Sequence, residues 1–78
     1  MREKTLKFVV TFHTTADAIA MERCCLERGI PGRIIPLPTV ISADCGMCWA
    51  APPEAEEAIE NSLKQAGLRC AGTYLLLL

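Results

Sequence analysis

The residues best suited to chemistry lie in one run, Arg33-Ile34-Ile35-Pro36-Leu37-Pro38-Thr39-Val40-Ile41-Ser42-Ala43-Asp44-Cys45-Gly46. It holds a thiol, Cys45, at a glycine-flanked turn, close in sequence to a fixed cation, Arg33. Pro36 and Pro38 lock φ and lack N–H donors, so the chain leaves a strand along a rigid, non-helical path. Gly46 lets the backbone pass close to whatever Cys45 carries. Cys45 therefore reads as a nucleophile or carrier thiol, whose pKa Arg33 would lower from the free value of about 8.5 while Asp44 works the other way. The competing reading is a half-buried cysteine that packs as a small hydrophobe.

Cys45-Gly46-Met47-Cys48 also fits C-x-x-C, the spacing of a dithiol or of half a zinc site. A redox C-x-x-C normally opens a helix, which brings the second thiol one turn above the first. Here the segment reads as a strand, where residues three apart point to opposite faces, so Cys48 reaches Cys45 as a resolving thiol only through a bulge. Zinc would need two more ligands. His13, Cys24, Cys25 and Cys70 provide no second spaced pair, and no metal is expected. Cys24 and Cys25 are about 100° apart on a helix, so one faces the core and its neighbour the rim. His13 closes the first strand and could accept a proton. Thr14 and Thr15 stand at a helix start, whose free N–H groups form a generic anion site, although capping alone accounts for them.

The elements that position these residues follow from periodicity. Thr5 to Phe12 alternates as a strand, with Leu6, Phe8 and Val10 on one face and Lys7, Val9 and Thr11 on the other. Thr14 caps a helix from Thr15 to Arg28, stopped by Gly29, with Ala18, Met21 and Cys25 on its inner stripe and Leu26 at the margin. Gly32 to Leu37 is a second strand ended by Pro36 and Pro38, since a proline inside a run belongs to an edge or to the last residues of a strand, and an edge is expected. After a turn over Thr39 to Asp44, Cys45 to Ala51 pairs back as a hairpin strand with Met47, Trp49 and Ala51 on one face. Pro52-Pro53 opens a second helix with Glu54, Glu56 and Glu57 at its positive end. Ala55, Ala58, Ile59, Ser62, Leu63 and Ala66 face inward and Gly67 ends it. Ala71 to Leu78 is all apolar apart from Thr73 and Tyr74 and reads as a central strand buried on at least part of both faces. The order β-α-β-β-α-β describes an α+β, ferredoxin-like sandwich of one domain over residues 1–78, with two helices on one face of a four-stranded antiparallel sheet. Its other face would be open, a surface for a homodimer or partner protein.

Composition narrows the function classes. A chain of 78 residues with net charge −1, two Phe, one Trp and one Tyr lacks the basic face and stacking aromatics of a nucleic-acid module. The charged start, Met1-Arg2-Glu3-Lys4, has no apolar h-region, and Leu75 to Leu78 is far shorter than the roughly 20 residues that cross a bilayer. A cytoplasmic protein that binds no membrane is expected. Five cysteines, an odd number without a secretory signal, point to reduced thiols rather than a disulfide framework.

Several segments taken together carry a resemblance. Thr11-Phe12-His13-Thr14-Thr15 with Ala18 and Glu22, then Gly29-Ile30-Pro31-Gly32-Arg33, then Ile35-Pro36-Leu37-Pro38 followed by Ile41-Ser42-Ala43-Asp44-Cys45-Gly46, make the chain resemble the selenium/sulfur carrier-like family of small bacterial and archaeal proteins. The resemblance implies a carrier domain rather than an enzyme, which holds sulfur or selenium on Cys45 as a persulfide or selenosulfide and passes it from a donor protein to an acceptor protein. It implies no cofactor beyond that covalently carried atom. Arg33 and groups around Thr14, Thr15, Ser42 and Gly46 would stabilise the anionic terminal atom. Cys48 departs from the small or apolar residue expected there. Two other readings stay open: a ligand- or protein-binding module whose cysteines are structural, and a thiol redox protein using Cys45 and Cys48.

Overall fold

The apolar, β-branched run near the start of the chain forms β1 (Leu6–Thr11) in the computed structural model, which describes residues 4–38, 40–41 and 46–78. Thr14 then caps α1 (Thr15–Arg28), its side-chain oxygen accepting the Asp17 N–H at 3.1 Å. This supplies one of the orphan donors of the first turn. Gly29 ends the helix at φ +69°, and the following Ile30 N–H donates to the Cys25 carbonyl at 2.9 Å. That geometry closes the last turn and returns Ile30 to the core.

The edge hairpin is β2 (Arg33–Pro36) and β3 (Met47–Ala51). A short 3₁₀ turn, Pro53–Ala55, leads into α2 (Glu56–Gln65), and β4 (Gly72–Leu77) completes the sheet. The strand order is β2-β3-β1-β4 and every neighbouring pair is antiparallel. This is the ferredoxin-like arrangement of a β-α-β-β-α-β chain.

Register assigns the faces. Phe8 pairs with Ala51 and Val10 with Trp49, and these four pack with Ala18, Met21, Cys25, Ala55 and Ile59 under the helices. Each large side chain sealed there contributes about 1.5–3 kcal/mol. Arg28 ties the helices together, donating to Gln65 Oε1 at 2.8 Å and Ser62 Oγ at 3.3 Å.

Three expectations are corrected. On α2, Ala58 and Ala66 are exposed, whereas Ala55, Ile59 and Ser62 are buried. The inner stripe runs through residues three and four apart, and Ala58 lies one step, about 100°, from Ile59, while Ala66 comes after the last helical residue, Gln65. On α1, Leu26 is not marginal but exposed. The third concerns β4, which is an edge strand beyond β1, with Tyr74, Leu75 and Leu77 between 40% and 64% exposed. The helical layer packs chiefly over β1, β2 and β3. An all-apolar run carries no signal that distinguishes an edge from a centre.

The far face of the sheet is not wholly open. Ile41, from the connection between β2 and β3, packs against Val9 and Cys48 there, with Ile35, Leu37, Leu76 and Leu78 around them. This second cluster buries Val9, Thr11 and Cys48 almost completely.

Candidate functional site

Cys45 and Ser42 lie outside the described residues, so the site is built from their neighbours. Gly46 has φ +72° and its carbonyl accepts the Leu37 N–H at 3.0 Å, extending the β2–β3 ladder by one rung. Across β3, Thr11 pairs with Cys48. Two residues beyond each partner are His13 and Gly46, so β1 delivers His13, Thr14 and Thr15 to the sheet end from which the chain enters β3. His13, Thr14, Thr15 and Gly46 are all exposed.

At this end α1 points its positive pole outward. Asp17 N–H is taken by Thr14, and the Thr14 carbonyl accepts from Ala18 N–H at 3.3 Å. The N–H groups of Thr15 and Ala16 make no hydrogen bond to another described residue, which leaves donors for an anion. The Asp17 carboxylate, in the same turn, opposes a second negative charge.

Arg33 is placed elsewhere. It pairs with Ala50, four residues along the hairpin from the Leu37–Gly46 rung, or roughly 13 Å at the usual strand rise. The register thus groups Thr14, Thr15 and Gly46 and sets Arg33 at the opposite end of the hairpin. Cys48 is fully buried on the far face beside Val9 and Ile41, and a solvent-borne oxidant or acceptor cannot reach its thiol without movement of that cover.

The remaining cysteines are set apart by their surroundings. Burial pushes the Cys25 thiol up to about 11, with Cys24 adding to the shift and Arg28 opposing it. Burial also raises Cys70. Both remain neutral thiols at physiological pH and pack on the main core, the behaviour of structural cysteines. Among the described residues no three His, Cys, Asp or Glu side chains gather as a metal site, and no helix is long and apolar enough to cross a membrane.

Sequence reasoning missed the Ile41 cover, because a single isoleucine in an irregular connection has no periodicity. It also missed the company that Arg33 keeps. Lys7 belongs to the same face, a fact that needs the β1–β3–β2 register to emerge.

These elements define a small ferredoxin-like α+β domain with a helix N-terminus and a glycine turn at one end of its sheet. The sequence profile of the family described as Putative Se/S carrier protein-like matches residues 7–75, and the chain belongs to that family. No curated protein matches the chain.

Proposed function

We propose that this protein carries sulfur or selenium covalently on Cys45 and hands it to an acceptor. The observation that supports the reading is the shared sheet end: Gly46, bonded to Cys45, and the uncommitted N–H groups at the start of α1 belong to the same end of the domain. A persulfide or selenosulfide is anionic at neutral pH, and amide donors at a helix start favour such a charge. The helix start takes over here the role that sequence proximity gave to Arg33.

Loading is a thiol exchange in which the Cys45 thiolate attacks the outer sulfur of a donor persulfide. A new S–S bond forms on Cys45, the donor's S–S bond breaks, and the donor leaves as a thiolate. Delivery is the same step with an acceptor thiolate attacking the outer sulfur, so Cys45 returns as a thiolate and no external oxidant or reductant is consumed. The burial of Cys48 favours this one-thiol cycle over a Cys45–Cys48 dithiol.

The test is intact-mass measurement after incubation with a cysteine desulfurase and cysteine, for the wild type and Cys45→Ser. A one-sulfur gain in the wild type that is absent from the variant is expected. No gain in the wild type, or a gain that persists in Cys45→Ser, overturns the reading.

A further inference from the structure

At the end of the far face opposite Gly46, the sheet forms a depression of about 600 Å³ lined by Thr5, Lys7, Arg33, Ile35, Ala50 and Pro52 among others. We infer that this depression is a binding site for a small organic phosphate, with Lys7 and Arg33 holding the phosphate and the apolar floor receiving the organic body.

Register builds the site. Arg33 on β2 pairs with Ala50 on β3, and Ala50 pairs with Val9 on β1, two residues from Lys7. The two cations therefore stand on the same face, on either side of β3, with Cα atoms roughly 12 Å apart by ordinary strand spacing and rise. Both side chains are long enough to turn inward onto one dianionic group between them. Between them lie Ala50 on β3 and Pro52 just after it, whose small or compact side chains leave the hollow. A larger residue at position 50 would fill it.

Charge points to an anion. The chain as a whole has net charge −1, with nine Asp and Glu residues. Yet no acidic side chain lines the depression among the described residues. Neither the Lys7 nor the Arg33 side chain makes a hydrogen bond or ion pair to another described residue. Two cations sharing a concave surface raise the local potential and concentrate anions. A guanidinium matches phosphate in a bidentate fork, and an ammonium adds a point charge. The volume falls within the usual range for small-molecule sites, about 300–1,000 Å³, and exceeds what a bare phosphate fills. Ile35, Ala50, Pro52 and Leu78 supply the apolar surface for the remainder.

The proposal is independent of the carrier reading, since the site lies at the other end of the hairpin and uses no thiol. The experiment is an amide NMR titration of the full chain with phenyl phosphate and with inorganic phosphate, against sodium chloride at matched ionic strength. Saturable shifts centred on Lys7, Gly32, Arg33 and Ala50 are expected, with phenyl phosphate binding at least about threefold tighter than inorganic phosphate because its ring meets the floor. Lys7→Gln with Arg33→Gln should keep the dispersed spectrum of the folded chain and weaken binding at least about tenfold through loss of charge-assisted contacts. Shifts that fail to saturate, that chloride reproduces, that centre elsewhere, that survive the double substitution or that show no preference for the aryl ester overturn the proposal.

Discussion

Replacing Gly32 by alanine tests the packing that anchors the edge hairpin. Gly32 has φ +140°, a backbone region closed to side-chain-bearing residues, and a methyl group built there would lie 2.6 Å from Trp49 Cε2 and Nε1 and 2.8 Å from Cζ2. Trp49 is 1% exposed within the main core, and its Nε1 has no partner among the described residues, so the ring is held by shape rather than by a bond. The methyl can be accommodated only if β2 lifts or the indole moves. The disallowed backbone costs about 1–3 kcal/mol and overpacking a similar amount, so Gly32→Ala should lose about 4 kcal/mol. Domains of this size have only about 4–12 kcal/mol of stability in all.

Gly29 and Gly67 provide the control, having φ +69° and +63° with open space where a methyl would go. Alanine at either should cost about 1 kcal/mol, the conformational term alone. Urea denaturation followed by far-UV circular dichroism and by Trp49 fluorescence measures all three. At about 4–8 °C per kcal/mol for a domain of this length, Gly32→Ala should melt at least 15 °C below the wild type. If the three variants lose equal stability, the close approach of Gly32 to Trp49 does not matter and the reasoning fails.

Two further predictions rest on the helices and the buried thiol. Arg28→Ala removes the partner that Ser62 Oγ and Gln65 Oε1 share and strands a buried hydroxyl, so it should cost about 1–2 kcal/mol in urea denaturation, and more than Ser62→Ala, which deletes the hydroxyl itself. Cys25 should set a pH dependence at the alkaline side. Its folded pKa, about 11, lies above the ordinary value of 9.0, so its contribution is complete below pH 9. Between pH 9 and 11 the unfolded chain releases the proton that the folded chain keeps. Stability then falls with rising pH by up to about 3 kcal/mol. Cys25→Ala should be less steep than the wild type over that interval, and parallel curves would count against the assignment.

How much of this was legible depended on whether local chemistry or tertiary context decided the outcome. Thr14, Asp17 and Gly29 bracket α1 because capping is a property of a few adjacent residues, and both boundaries follow from the sequence. The alternation of Phe8 and Val10 against Lys7 and Val9 likewise gives the faces of β1, and the two prolines mark β2 as an edge. The position of β4 does not follow, since Thr73 to Leu78 has the same composition whether it is flanked by two strands or one. Nor does the burial of Cys48, which depends on Ile41 folding over the sheet from a segment without pattern. For the site, Thr14, Thr15 and Gly46 could be picked out singly, while their common end of the sheet, and the separation of Arg33 from it, required the strand register. Cys45 and Ser42, which lie outside the described residues, remain expectations from the sequence.

The outer side of β4 has a consequence for the protein in concentrated solution. Gly72–Leu77 pairs only with β1 among the described residues, and the strand contains neither a charge nor a proline, the two devices that usually deter further strand addition. Its exposed Tyr74, Leu75 and Leu77 add sticky side chains to an unfilled row of amides and carbonyls. Colloidal behaviour will be governed from this flank, and a lysine introduced at position 75 is the simplest way to make the domain more soluble without disturbing either end of the sheet.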